Sequence, residues 1–314
     1  MKTVSIIIPV YNRANIVPRT LNTVLEQTYR PLQLVLVDNF STDDSLVVLN
    51  QFKIDNNTAD FEVIVTQEKR QTASAARNRG MQFATGEYLM FFDSDDLMDR
   101  RLVQKYVDAF ESSPQRADII ITRRNIIDET GDKKTMPLFK KDIIANHILH
   151  SVLATQAFCA RHDFIKKYEW NNNILQWDDF EYGLRLLLAK PVVGYIEGKA
   201  RVDVILGGDN SITGSNFSTN HGKWEIALRT MVLDIKNSSL IDKQRYYDLL
   251  YYRLLVLAAQ YQREGHPEFA KPAAQKAYSV LNRKWTYRQV MPRLFKRIVN
   301  GKRGSARIAH WIIK

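Results

Sequence analysis

The chain has 314 residues, with 45 Lys+Arg against 34 Asp+Glu, a formal net charge of +11, and 45% hydrophobic residues. These values fit an ordinary globular protein long enough for one large domain or two smaller ones. The single cysteine, Cys159, excludes an intramolecular disulfide, fits a reducing compartment and reads as a packing residue.

No membrane-directing segment stands out. The apolar run Val4–Val10 is cut short by Pro9, Asn12 and Arg13. The longest uncharged run, Ile143 to Ala160, contains Asn146, His147, His150, Ser151, Thr155 and Gln156, too polar for a bilayer span. A soluble or peripheral, cytoplasmic protein is expected. The positive charge is local. From Arg283 to Lys314 there are ten basic residues and no acidic one, so the rest of the chain is nearly neutral.

In chain order, Val4–Val10 predicts a first strand, followed by Tyr11-Asn12-Arg13 and a helix from about Ile16 to Gln27. Leu32–Val37 predicts a second strand ending in Asp38, with Ser41 as the cap of a helix that carries Asp43 and Asp44 early. Phe61–Val65 predicts a third strand, Thr72 to Ala84 a helix carrying Arg77, and Tyr88–Phe92 a fourth strand. This alternation argues an α/β protein with a doubly wound, mostly parallel sheet. Ligands sit at the carboxyl ends of strands in such sheets.

The fourth strand runs straight into Asp93-Ser94-Asp95-Asp96. Like charges this close repel by roughly 4 kcal/mol per pair at ~4 Å and an effective dielectric near 20. A hard divalent cation, Mn²⁺ or Mg²⁺, would convert that repulsion into binding. The competing reading is that Asp95 or Asp96 caps a helix starting near Asp99, for which one carboxylate suffices. No Gly-rich phosphate loop follows the first strand, so a metal is expected to hold the phosphates.

Four segments carry a resemblance: Val4-Ser-Ile-Ile-Ile-Pro-Val-Tyr-Asn12, Val37-Asp-Asn-Phe-Ser-Thr-Asp-Asp-Ser45, Ala76-Arg-Asn-Arg-Gly80 and Phe92-Asp-Ser-Asp-Asp96. In order and spacing they resemble the successive signatures of family 2 glycosyltransferases. The resemblance implies a GT-A fold, a nucleotide-sugar donor (a UDP-sugar), a divalent cation and inversion at the anomeric carbon. It implies that Tyr11 and Asp38 contact the base, that Arg77 lies near the nucleotide, and that Asp93 and Asp95 form the D-x-D pair. In that pair Asp93 faces the ribose and Asp95 the metal. Two features depart from the family pattern. Phe40 stands where the family commonly has a glycine and is expected to narrow the base or ribose pocket, and Arg70-Gln71-Thr72 replaces N-x-G.

Further on, Arg101 to Glu111 predicts a helix, Asp118–Thr122 a strand, Asp142 to Val152 a helix, and a strand lies around Phe158. Leu184, Leu187 and Leu188 recur at helical spacing, which puts Asp178-Asp179 at a helix start. The resemblance implies that Asp179 is the general base, beside Trp177. Val192–Ile196 and Arg201–Leu206 predict later strands. The histidine that family members often carry before an N-S-I-T stretch is missing, leaving Asp209 or His221 as substitutes.

From Trp224 onward the pattern is helical, with one face marked by Leu250, Leu254, Leu257 and Tyr261 and another by Ala270, Ala273, Ala274, Ala277 and Leu281. A last stripe of Tyr287, Val290, Leu294 and Ile298 lies among Arg288, Arg293, Lys296 and Arg297, with Pro292 expected to split it into two short segments. The basic tail over 283–314 suits an anionic membrane surface better than nucleic acid. The expected organisation is a catalytic domain over 1–215 and a helical region over 216–314. The reading is a single-addition inverting glycosyltransferase acting on a lipid-linked or cell-surface glycan of the cell envelope. A metal-dependent nucleotidyltransferase, or an inactive sugar-nucleotide-binding domain that tethers partners through the tail, are the alternatives.

Overall fold

The computed structural model describes residues 1–207, 216–281 and 285–300. Two compact units divide the chain. The first comprises Met1–Leu138, Leu153–Leu175 and Ala189–Thr213; the second comprises Phe139–Val152, Gln176–Leu188 and Gly214–Lys314. The division therefore differs from a single boundary at 215, because two internal segments group with the C-terminal helices.

In the first unit the elements run β1 (Val4–Val10), α1 (Val17–Leu25), β2 (Leu32–Asp38), α2 (Ser45–Asn56), β3 (Phe61–Gln67), α3 (Ala73–Met81), β4 (Tyr88–Phe91), β5 (Leu97–Met98), α4 (Leu102–Glu111), β6 (Ile119–Ile121), β7 (Arg124–Ile127) and β8 (Lys133–Thr135). After an excursion into the second unit come β9 (Phe158–Arg161) and α6 (His162–Ile165), and later β10 (Val193–Tyr195) and β11 (Val202–Ile205). Seven strands form the main sheet in the order β10-β6-β9-β4-β1-β2-β3. The four strands β4-β1-β2-β3 are parallel, as expected from their continuous apolar runs. β9 is antiparallel to both β4 and β6, so the sheet is mixed. A second sheet, β5-β11-β7-β8, is assembled from short strands. The side chains of Tyr88, Met90 and Phe92 alternate onto one face, where they join Ile6, Ile8, Tyr106 and Phe110 in the core. Cys159 is fully buried there, and burial pushes its thiol pKa far up, so it is a packing residue.

Gly80, in α3, explains part of its own motif. A Cβ at that position would lie 2.3 Å from Ile7 Cγ2, so only glycine lets α3 close onto β1.

Several local expectations are corrected. Ser41 does not cap α2. The helix begins four residues later, and the Ser41 hydroxyl instead accepts the Asn12 N–H at 3.1 Å. Asp43 takes over the turn, accepting the N–H groups of Ser45 and Ala14, both at 3.0 Å. The helix after the acidic run, α4, starts at Leu102 with Arg101 at its cap, and β5 separates it from Asp95 and Asp96, so neither aspartate is a helix cap.

The second unit is helical. It contains α5 (Ile143–His150), α7 (Asp178–Leu188), α8 (Lys223–Asn237), α9 (Lys243–Arg263), α10 (Pro267–Leu281) and α11 (Trp285–Val299). The predicted faces of α9 and α10 are buried, and the two helices are joined through Gly265, whose φ is +84°. Pro292 does not split α11, which runs through it. A helical proline loses one hydrogen bond but holds a helix-compatible φ, and buried Met291, Leu294 and Ile298 anchor both halves.

Candidate active site

In the parallel register, Val10 of β1 lies beside Asp38 of β2, and Ile7 of β1 lies beside Phe91 of β4. Tyr11, Asp38 and Asp93 therefore emerge at neighbouring strand ends on one edge of the sheet.

Asp38 is fully buried. Its carboxylate accepts Gln67 Nε2 at 2.9 Å and the Ser41 N–H at 3.3 Å, so it ties the following loop to β3 rather than acting as a surface turn residue. That loop contains Phe40, whose φ of +62° is the left-handed conformation. A glycine adopts it freely, whereas a bulky side chain there costs roughly 1–2 kcal/mol. The backbone here has a conformation that glycine favours, with a phenylalanine in it. Asn12, in the loop after β1, is also left-handed at φ +51°, and its Oδ1 accepts the Thr42 N–H at 2.8 Å.

Arg77 is buried, not a surface helix charge. It donates to Asp93 Oδ1 at 2.9 Å and lies 4.3 Å over the Trp170 ring. Arg13 approaches Asp95 Oδ2 at 3.7 Å, and Arg19 donates to the Asp95 carbonyl at 2.8 Å. Asp96 turns inward, where it is 2% exposed; its carboxyl accepts the Ile205 N–H at 3.0 Å and a hydrogen bond from Gln156. Burial first, then the charges of Asp93 and Asp95, hold the Asp96 carboxyl well above the usual carboxylate range. The expected pile-up of three charges is thus already relieved by two arginines and by an aspartate withdrawn into the interior. A cation is therefore not needed to relieve that repulsion. Arg13, Arg19 and Gln156 carried no motif signal of their own; only the proximity of Arg13 to Tyr11-Asn12 pointed to it.

Asp93 and Asp95 keep part-exposed side chains, 29% and 27%. Two carboxylate oxygens with room for phosphate and water match the habit of Mg²⁺ and Mn²⁺ in nucleotide sites. Among the described residues, no cluster of three or more His, Cys, Asp or Glu side chains could hold a metal. The residues fit a cation completed by substrate oxygens, not an all-protein cage.

Asp178 and Asp179 belong to the second unit, at the start of α7. Asp178 Oδ1 accepts the Asp179 N–H at 3.0 Å, so Asp178 serves the helix end. The preceding Trp177 is held at φ +57° by its packing: Phe180, Phe217 and Trp224 surround the indole, and the Arg253 guanidinium lies 5.0 Å over it. Behind this end, burial pushes the Glu181 carboxyl up against the pull of Arg185 at 2.5 Å, and burial together with Glu181 pushes Asp234 up to about 6. His221 stacks on Phe269 with centroids 3.9 Å apart, a packing contact within the helices. Asp209 lies outside the described residues.

A largely parallel sheet whose strand ends carry an aspartate pair, with an arginine from the preceding helix paired to it, is the frame of a GT-A transferase. The chain belongs to the family described as Glycosyl transferase family 2, whose model matches residues 5–168. That membership sets the nucleotidyltransferase alternative aside. A poly(ribitol-phosphate) beta-N-acetylglucosaminyltransferase, TarP of Staphylococcus aureus, is 28% identical over 166 residues, 50% of this chain and 49% of that protein. Glycosyltransferase GlyG of Streptococcus pneumoniae is 28% identical over 127 residues, 40% of each chain. The chain thus spans less than half the length of these two relatives. Among solved structures, S. aureus TarS 1-349 in complex with UDP superposes with a TM-score of 0.64 at 15% identity, covering 99% of this chain and 90% of that one. The mannosyltransferase PcManGT from Pyrobaculum calidifontis, in complex with GDP-Man and Mn²⁺, gives 0.55 at 14% identity, covering 99% and 83%. At these identities the likeness shows the fold alone.

Proposed function

We propose that the protein transfers a single sugar, with inversion, from a nucleoside-diphosphate sugar, a UDP-sugar, to a hydroxyl of a lipid-linked or cell-surface glycan. The observation that carries this reading is the convergence of Tyr11, Asp38 and the Asp93–Asp95 pair on one strand-end edge of the first unit. The base belongs with Tyr11 and Asp38, the ribose with Asp93, and Arg77, paired with Asp93, lies near the nucleotide. Bound at Asp93 and Asp95, Mn²⁺ or Mg²⁺ would supply positive charge to the departing diphosphate. Asp179 takes the proton from the acceptor hydroxyl as it attacks. A polymeric hydroxyl acceptor is in keeping with the TarP relative, which acts on poly(ribitol-phosphate).

A thermal-shift screen of nucleotide sugars, with and without Mn²⁺, tests the donor reading directly. A donor at 100 times its dissociation constant adds about 2.7 kcal/mol of stability. Stabilisation by UDP-sugars that deepens with Mn²⁺ is the expected outcome, followed by turnover of the same donor. Absence of stabilisation by every nucleotide sugar would refute the donor, and binding without turnover of any acceptor or water would favour the inactive-domain alternative.

A cytoplasmic, peripheral location is part of the same proposal. No helix among the described residues is long and apolar enough to cross a membrane. The apolar stripe of α11 is committed to packing, since Leu294 and Ile298 are buried while Arg293 and Lys296 are exposed. Charge, not insertion, would then hold the tail to anionic headgroups, at about 1 kcal/mol per basic residue near the surface. Co-sedimentation with phosphatidylserine vesicles should fall steeply with salt and vanish on removing 283–314. Equal binding to neutral vesicles, or a preference for nucleic acid, would overturn it.

A further inference from the structure

Tyr11 and Phe40 are the two most exposed aromatic side chains among the described residues, at 45% and 50%. They stand on adjacent loops, after β1 and β2. Those loops are laced together: the Asn39 N–H donates to the Val10 carbonyl at 2.7 Å, and the Asn12 N–H donates to Ser41 Oγ at 3.1 Å. From the other side, Asn39 Nδ2 donates to the carbonyls of Glu68 and Arg70, at 3.0 and 2.8 Å, and Gln71 Nε2 donates to the Phe40 carbonyl at 3.3 Å. Phe40 is thus held rigidly in a strained conformation, and its ring is presented to solvent rather than used for packing. Neither burial nor local backbone preference accounts for a phenylalanine there. Strain of this kind persists where the surrounding structure enforces it, and it clusters at ligand sites.

We propose that Phe40 is a base-stacking residue of this enzyme, acting with Tyr11 to hold the planar nucleobase of a nucleoside diphosphate. The inference rests on the donor reading above and deepens it. Planar bases stack on aromatic rings without regard to sequence because each has a π face, so Phe40 adds affinity for any base. A glycine at the same backbone position offers no such face. The loop then carries two separable effects, one on stability and one on binding, and they have opposite signs under a single substitution.

Phe40→Gly should raise the melting temperature by removing the strain, while weakening UDP and GDP binding about tenfold, within the range seen for loss of one base-stacking ring. Phe40→Leu removes the ring but keeps the strained backbone, so it should weaken both nucleotides similarly without the thermal gain. Pyrophosphate, measured with the same Mn²⁺ concentration, has no base and should bind all three proteins alike. Calorimetric titration reads all of these. Unchanged UDP and GDP affinities in both variants would overturn the stacking role, even with the thermal gain present. So would equal losses for pyrophosphate, which would mean a collapsed loop. If the wild-type protein binds neither nucleotide, the donor reading itself fails, and the inference with it.

Discussion

Asp179→Asn should lower sugar transfer by roughly 10²–10⁴-fold, the contribution of a positioned general base, while Asp178→Asn leaves it within about tenfold of wild type. Both aspartates lie at the start of α7, so each gives up a helix-end term of about 0.3–1 kcal/mol when neutralised. Asp178 also accepts the Asp179 N–H, so its variant has the clearer stability cost. Loss of the base amounts to about 3–5 kcal/mol at 1.36 kcal/mol per tenfold, well above any capping effect. Magnitude therefore separates the two roles. Donor affinity should hold in both variants, since Tyr11, Asp38, Arg77, Asp93 and Asp95 all belong to the other compact unit. Turnover with acceptor, read beside calorimetric titration of UDP, decides it. Transfer by Asp179→Asn within tenfold of wild type would reduce Asp179 to a helix-end carboxylate and make Asp178 the next candidate.

The second large effect is expected at Asp95. Asp95→Asn should abolish the Mn²⁺-dependent part of donor turnover, a loss of roughly 10²-fold or more if the cation is worth several kcal/mol to the leaving group. The fold should survive, because the Asp95 side chain is 27% exposed and its contact with Arg13 is a loose 3.7 Å. Arg13 would then face no carboxylate at that position, so a modest gain or loss of stability is the only structural consequence. Full activity of the variant, or of wild type in excess chelator, would remove the metal from the reading.

The parallel half of the sheet was legible because its strands are short continuous apolar runs, a pattern that a buried strand requires. β1 matches its prediction to the residue, while β2 and β3 extend one and two residues beyond theirs. The second sheet was less legible, since Leu97–Met98 is two residues long and Lys133–Thr135 is fully exposed and polar. The insertion of β9 between β4 and β6 has no local signature, because strand order is set by packing rather than by periodicity. At the candidate site, aspartates clustered in sequence drew attention, but their partners did not. Gln156 meets Asp96 across 60 residues, and Arg13 meets Asp95 across a still longer stretch of chain. The resemblance put Phe40 where the family commonly has a glycine; only the backbone shows that it holds the left-handed conformation a glycine favours.

The interleaving of the two units bears on how the chain is made. A ribosome delivers residues from the N-terminus, and domains generally fold as units while they emerge. The first unit has all its segments by Thr213 and is complete once that residue has left the tunnel. The segments Phe139–Val152 and Gln176–Leu188 emerge earlier, yet their partners lie beyond Gly214: α5 packs on α9, and α7 on α8. During that interval α5 and α7 have only each other, and the parts of their buried faces that meet α8 and α9 are left uncovered. Nascent chains in that state expose apolar surface of the kind that chaperones recognise. A gene cut after codon 215 would leave the protein there permanently, with the helix that carries Asp179 stripped of the helices that hold it.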